Sequence, residues 1–319
     1  MFEIIRGRYL LAALARHAGM TPSFPSAPAR TLMACALIAG CADHPITQDS
    51  AHMTTLTSTP VTTGHLPVNG LSMYYEIHGH GDGTPLVLLH GGGSTIESTY
   101  GKVLPLLARH RKVIALEEQA HGRTSDRDQP ERFTTSADDV AALLAQLKIE
   151  HADVMGFSNG ASVAMQVAIR HPGLVRRLVF ASSMTKASGA APQFWSFIKD
   201  ATFAGMPQPL KDAFLKVNPD PAKLHTMYER DIERMQHFVD TSDHDVSSVK
   251  IPTLILQGDR DVPTLDHALE LTRLMPQARL MILPGGHGDY LGEALTASVS
   301  ARHPEVTVVL LEDFLDGPA

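Results

Sequence analysis

The chain has 319 residues, 44% of them hydrophobic, a formal net charge of −7 and two cysteines. That length and apolar content suffice for one large core or two small ones. Acidic and basic residues are interspersed, so no basic face for nucleic acid or an anionic membrane is evident, and no apolar run reaches the roughly 18–20 residues that span a bilayer.

Both cysteines, Cys35 and Cys41, lie in TLMACALIAGCADHP, so nothing after Cys41 can form a disulfide. Arg30 precedes a short apolar stretch from Leu32 to Ala39 that ends in Gly40-Cys41 and then turns polar. These are the charged, apolar and small-residue regions of a signal peptide. The segment resembles a bacterial lipoprotein signal with IAGC as its lipobox. The resemblance implies that Cys41 becomes the lipidated first residue of a mature chain on the periplasmic side of a membrane, and Ala42 fits sorting to the outer membrane. Met20 as the start would give a signal of ordinary length. The alternative is a disordered or mis-started leader and a cytoplasmic protein. From Cys41 to Gly64 the composition is rich in Thr, Ser, Pro and His without apolar period, which reads as a tether.

The folded part opens with LPVNGLSMYYEIHG, where Asn69-Gly70 between strand-like runs signals a hairpin. Strand and helix then alternate. PLVLLHG, KVIALE, ADVMGF, RLVFASS, TLILQG and ARLMILPG are short and almost continuously apolar, as strands covered on both faces of a parallel sheet must be. TTSADDVAALLAQLKI sets Val140, Leu143, Leu144 and Leu147 on one helical face, with Ser136 as its N-cap and Asp138 and Asp139 in its first turn. The expected fold class is α/β, a mostly parallel sheet flanked by helices.

One stretch breaks the rhythm. From Met184 to Ser248 no strand signal occurs, but KLHTMYERDIERMQHFV repeats Leu224, Tyr228, Ile232, Met235 and Val239 at helical spacing. An insertion of roughly 65 residues is too long for a plain loop and reads as a helical cap. The expected boundaries are a leader over 1–41, a tether over 42–63, a core over 64–183 and 249–319, and the cap over 184–248.

Gly156-Phe157-Ser158-Asn159-Gly160 is a G-x-S-x-G pentapeptide between a predicted strand and a predicted helix. A serine held on such a turn is strained, and side chains on either flank would crowd it. A hydroxyl near neutral pH needs a base, and the base needs an orienting group. Among seventeen histidines, His287 in LMILPGGHGDY stands out, because it follows the last predicted strand at the edge where open α/β sheets assemble their sites. The orienting acid at the same edge is Asp259 or Asp261 in TLILQGDRDVP, since VFASSMT at the end of the preceding strand offers no carboxylate. Donors for a developing oxyanion are expected from the backbone N–H of Gly92, in LVLLHGGGST, and of Asn159 beside the nucleophile. The bland alternatives are an ordinary loop serine, a ligand-free glycine turn and two acids that cap the next helix. HGHGDG from His78 and GGHGDY have no recognised ligand spacing, so neither a metal nor another cofactor is expected.

The order HGGG, G-x-S-x-G, Asp, His over residues 65–316 resembles the α/β-hydrolase fold family. GDRDVP resembles that family's acid-bearing loop, in which the later acidic residue carries the role. The resemblance therefore selects Asp261 and implies a Ser158–His287–Asp261 triad. A serine nucleophile is unlike the family's haloalkane dehalogenases and epoxide hydrolases, and fits its esterases, lactonases, amidases, aminopeptidases and carbon–carbon bond hydrolases. Glu117 and Glu118 depart from the family's segment after the second parallel strand and are read as a polar rim, with a role in shaping the pocket as the alternative. Phe194, Trp195, Phe197, Phe203, Met206, Phe214, Met227 and Met235 suggest an apolar roof, unless they only pack the cap together. The expected activity is hydrolysis of an ester or related acyl bond in a small to medium, largely apolar molecule. The alternatives are an aminopeptidase like the proline iminopeptidases, with Glu229 or Glu233 on the substrate amine, a carbon–carbon bond hydrolase, or a binding protein without turnover.

Overall fold

In the computed structural model, which describes residues 62–296 and 302–318, a hairpin of β1 (Thr62–Val68) and β2 (Leu71–His78) comes first. Asn69 and Gly70 take φ angles of 46° and 88°, which a two-residue turn needs to match the twist of its strands. Cys41 and the lipoprotein-like segment, with the tether up to residue 61, lie outside the described residues.

Six further strands complete one sheet: β3 (Leu86–Leu89), β4 (Val113–Leu116), β5 (Ala152–Phe157), β6 (Val175–Ala181), β7 (Thr253–Gly258) and β8 (Ala278–Leu283). Their order is β1-β2-β4-β3-β5-β6-β7-β8. β2 runs antiparallel to both neighbours, and the pairs from β4 to β8 are parallel. The continuous apolar runs of the central strands have the reason expected of them, whereas β8, at the edge of the sheet, is only partly covered. In β3, Val87 and Leu89 face a core containing Val140, Leu143, Val163, Val167 and Leu271, while Leu86 and Leu88 face one containing Tyr100, Leu107, Leu311 and Phe314. Both faces are therefore dry.

The helices are α1 (Ile96–Tyr100), α2 (Leu104–Leu107), α3 (Phe133–Gln146), α4 (Asn159–Arg170), α5 (Pro192–Lys199), α6 (Gln208–Val217), α7 (Pro221–Gln236), α8 (Asp243–Ser248), α9 (Leu265–Leu274) and α10 (Arg302–Asp316). α5 to α8 all fall between β6 and β7. Within this insertion Leu210, Phe214, Leu224 and Met227 form a small core of their own with Met206, closed from below by Ala120. Among the described residues no helix is long and apolar enough to cross a membrane.

Two local expectations are corrected. α3 starts at Phe133, not after Ser136, because Thr135 Oγ1 accepts the Arg132 N–H at 3.2 Å and closes the first turn earlier. Ser136 is then an interior residue with a buried hydroxyl that has no partner among the described residues. Asp138 and Asp139 lie in the second turn, where Arg170 and Arg127 pair with them at 2.6 and 2.7 Å. α7 ends at Gln236, capped by His237, so Val239 lies beyond it and is 76% exposed.

β5 passes into α4 through the turn at Ser158. A Cβ on Gly156 would stand 2.0 Å from the Gly160 carbonyl oxygen, and one on Gly160 would stand 2.3 Å from the Leu89 oxygen and 2.4 Å from the His90 oxygen. These obstacles are backbone, which cannot swing aside as a side chain can. Gly160→Ala is accordingly expected to lower stability by about 1–3 kcal/mol or more, measured by urea unfolding against the parent.

Candidate active site

Ser158 has φ 55° and ψ −122°, a conformation that L residues rarely adopt and that persists only where the surroundings impose it. Here the imposition is visible. The Ser158 N–H donates to the Ala181 carbonyl of β6 at 2.9 Å, while its own carbonyl accepts from Ala161 at 2.9 Å to start α4. The side chain is thus presented at the carboxyl end of the parallel strands.

His287 and Asp261 arrive at the same edge, from the loops after β8 and β7. His287 Nε2 lies 3.0 Å from Ser158 Oγ, and His287 Nδ1 lies 2.7 Å from Asp261 Oδ1. An ionised Asp261 accepts a hydrogen bond from Nδ1–H, which leaves Nε2 as the acceptor for the serine hydroxyl. The Asp261 side chain is fully buried, yet it accepts three hydrogen bonds besides that of His287 on Oδ1: Ser182 Oγ at 2.5 Å and the Gly258 N–H at 2.9 Å on Oδ2, and the Val262 N–H at 2.7 Å on Oδ1. Counted together these are four donors in all. Burial alone would raise its pKa, but His287 and these bonds outweigh burial and hold the carboxyl below its ordinary value. Burial likewise pulls His287 down, and the charge and hydrogen bond of Asp261, with Glu293 and Asp289 further off, bring the balance above its ordinary value.

Asp259, the other acid, is half exposed and accepts the Gly285 N–H at 2.7 Å. It braces the His287 loop and does not touch the imidazole. Ser182 was not evident from the sequence. It sits at φ 52°, directly after β6, and Tyr290 lies 2.6 Å from its hydroxyl; since Ser182 donates to Asp261, Tyr290 donates to Ser182. The signal was present in Tyr290, three residues after the histidine.

The glycine turn after β3 stands over the start of α4. A Cβ on Gly92 would be 2.4 Å from Asn159 Nδ2 and 2.5 Å from an Asp231 carboxylate oxygen, so no side chain fits there. Asn159 opens α4, where a backbone N–H has no carbonyl a turn behind it in its own helix. Two buried histidines brace this turn. His90 Nδ1 is 2.8 Å from the Gly91 carbonyl and its Nε2 accepts the Glu118 N–H at 3.1 Å. His121 Nδ1 is 2.9 Å from the Gln119 carbonyl and its Nε2 accepts the Gly93 N–H at 3.3 Å. Both are therefore neutral rings, and burial holds both below the ordinary histidine range, His90 at about 4.

The expected polar rim of Glu117 and Glu118 is corrected, for both are fully buried. Each has its own arginine. Glu117 accepts the Arg123 N–H at 2.6 Å and its guanidinium at 2.8 Å, and burial still pushes it up to about 7. Glu118 meets Arg234 of α7 at 2.8 Å, and the same Nη1 reaches Glu131 at 3.0 Å. Arg234 Nη2 bonds Asp231 Oδ1 at 2.7 Å, and that oxygen also accepts Asn159 Nδ2 at 2.8 Å. The cap thus touches the residue next to Ser158 through a charged chain. Glu229 and Glu233 point elsewhere, to His225 at 3.4 Å and Arg132 at 3.5 Å.

The eight apolar cap residues divide. Met206 lies 3.6 Å from the position of a Cβ on Gly93, beside Leu210 at 3.5 Å, and so roofs the glycine turn. Phe214, Met227 and Met235 are buried within the cap. Phe203 meets Tyr228 edge to face, as Phe194 does Trp195, and Phe197 is 38% exposed. His78 pairs with Glu76, and among the described residues no group of three or more His, Cys, Asp or Glu is placed to hold a metal ion.

Known proteins are similar to this chain. A family model described as "alpha/beta hydrolase fold" matches residues 84–242. A 2-hydroxymuconate semialdehyde hydrolase of Pseudomonas sp. is 38% identical over 34% of this chain and 39% of its own length. A 2-hydroxy-6-oxo-2,4-heptadienoate hydrolase of Pseudomonas putida is 27% identical over 65% of this chain and 83% of its own. Among solved structures, a 2-hydroxy-6-oxo-6-phenylhexa-2,4-dienoate hydrolase of Rhodococcus superposes with a TM-score of 0.66 at 19% identity, over 82% of this chain and all of that one. That last likeness is one of fold.

The geometry around the imidazole has a direct test. Asp261→Asn removes the charge that raises His287, so the His287 pKa is expected to fall below that of the parent, whereas Asp259→Asn leaves it within a few tenths of a unit. Imidazole resonances followed by NMR across pH measure both.

Proposed function

We propose that this chain, which has the fold of the alpha/beta hydrolase family, is a serine hydrolase that cleaves an ester or related acyl bond of a small to medium, largely apolar molecule. The observation that carries the reading is the unbroken chain from Ser158 Oγ through His287, at 3.0 Å, to a buried Asp261, at 2.7 Å.

His287 takes the hydroxyl proton as Ser158 Oγ attacks the acyl carbon, and the Asp261 carboxylate stabilises the imidazolium that results. Negative charge moves to the acyl oxygen, where the backbone N–H groups of Gly92 and Asn159 receive it. The imidazolium then gives its proton to the departing oxygen, and the acyl group remains on Ser158. Water, deprotonated by the same imidazole, releases the acid and restores the serine. The hydrolase names of the relatives support the class of reaction, and Met206 with Leu210 over the glycine turn supports an apolar acyl or aryl group.

A carbon–carbon bond hydrolase is the second reading, because two relatives are named for a semialdehyde and a dienoate. A dienoate brings a carboxylate of its own. Arg234, which reaches the glycine turn through Asp231, is already committed to three carboxylates, so we favour the ester reading. With Cys41 lipidated, the enzyme would work at the periplasmic face of a membrane on a substrate supplied in solution.

Ser158→Ala is expected to reduce hydrolysis of a panel of p-nitrophenyl esters by about 10⁴-fold or more and to abolish labelling by a fluorophosphonate. Unchanged rates in a folded variant overturn the reading. In the parent, kcat/KM should fall as pH drops through the His287 pKa, because the protonated ring cannot accept the serine proton. That midpoint should lie above the ordinary histidine value of about 6.5, since Asp261 raises it.

A further inference from the structure

Asp231 is the one cap residue whose carboxylate reaches both the residue after the nucleophile and the glycine turn, among the described residues. Its two oxygens are unequal. Oδ1 is saturated by Asn159 Nδ2 and Arg234 Nη2, whereas Oδ2 accepts no hydrogen bond among the described residues and stands 2.5 Å from the position of a Cβ on Gly92. The side chain remains 17% exposed, so a small molecule can reach it.

The charges around it do not cancel. Arg234 contributes one positive charge. Burial would raise Asp231, but Arg234 and the bonds to it hold it below its ordinary value, and Glu118 is held down against burial by the same guanidinium. Burial pushes Glu131 upward, toward its neutral form, so it adds no positive charge to the cluster. His90 and His121 are neutral. Two carboxylates against one guanidinium leave a negative excess beside the place where an oxyanion must form, which opposes the reaction unless the substrate offsets it.

We propose that Asp231 selects acyl groups carrying a hydrogen-bond donor, an ammonium above a hydroxyl, on the carbon next to the scissile carbonyl. A carbonyl oxygen received by the Gly92 N–H would bring its α-substituent, two bonds from the acyl carbon, close to Gly92, the residue beside which Oδ2 lacks a partner. An ammonium there would both fill that position and neutralise the excess. A bare alkyl group would leave Oδ2 desolvated and without a hydrogen bond, and a carboxylate would add repulsion. Asp231 is thus a specificity residue within the serine-hydrolase reading, on which the inference rests.

Three ethyl esters that differ only at the α carbon provide the test: those of propanoic acid, 2-hydroxypropanoic acid and alanine. The parent is expected to show kcat/KM for the alanine ester at least about tenfold above that for the propanoate, with the hydroxy ester between them. In Asp231→Asn, which keeps the shape and loses the charge, the alanine-to-propanoate ratio should fall by about tenfold, and Asp231→Glu should restore part of it. A ratio near one in the parent, with Ser158→Ala inactive on all three, overturns the inference and leaves the hydrolase reading standing. An undiminished ratio in folded Asp231→Asn overturns it too. Full turnover by Ser158→Ala would remove both together. Because the parent's ratio decides alone, misfolding of a variant does not shelter the proposal.

Discussion

The backbone at Ser158 is the constraint on which the site depends. A non-glycine residue at φ 55° is costly, on the order of 1–3 kcal/mol, and the chain holds it only because the turn has no other way to pass from β5 into α4. Gly156 lets α4 start hard against the strand, and Gly160 lets it lie on the carbonyls of Leu89 and His90. The second contact sets the distance between α4 and the end of β3. It therefore also sets the spacing between the Asn159 N–H and the glycine turn that begins at Gly91. One steric fit places the nucleophile and the proposed oxyanion donors together.

The acid side of the site is built by a different means. Asp261 is buried, but every donor around it is aimed at it, and Ser182, itself at φ 52°, is held by Tyr290 so that its hydroxyl can donate. A buried carboxylate with four donors stays ionised and fixes the imidazole by its Nδ1 proton. The cluster around Arg234 is less complete. Glu118 Oε1, Glu131 Oε2 and Arg234 Nε are buried without partners among the described residues. Such a network is poor value as a source of stability, since desolvation consumes much of the attraction. Its consequence is geometric: it holds α7 of the cap at a fixed place on the core.

The fold was legible because its central strands are buried on both faces, and runs such as those of β3 and β4 have no polar interruption to obscure them. The site was legible as far as chain position determines it. A serine between two glycines, an acid after β7 and a histidine after β8 all lie at one edge because parallel strands all end there. Side-chain pairing across the fold was another matter. Glu117 and Glu118 look like a solvated pair when only their neighbours in sequence are visible, and Arg123 and Arg234 make them interior. Asp231 and Arg234 fall in an amphipathic helix crowded with charges, in ERDIERMQ, where periodicity identifies the apolar face but not which charges turn inward. Ser136 misled for a local reason, since Thr135 offered a competing hydroxyl one residue earlier.

The cap therefore has two functions that are joined at one residue. Its apolar side, Met206 and Leu210, covers the glycine turn, while its charged side, Asp231 and Arg234, ties α7 to Glu118, Glu131 and Asn159. Asn159 belongs to both the core and the cap: its backbone N–H is the proposed oxyanion donor and its side chain holds Asp231. A change of acyl preference made through Asp231 consequently alters the field at the oxyanion as well. Removing Arg234 instead would strand three acids in the interior, at a cost of about 3–5 kcal/mol. In the proposed enzyme, variation in substrate choice would thus be confined to the apolar roof and to Asp231, because the rest of the seam cannot change one partner at a time without unfolding what it joins.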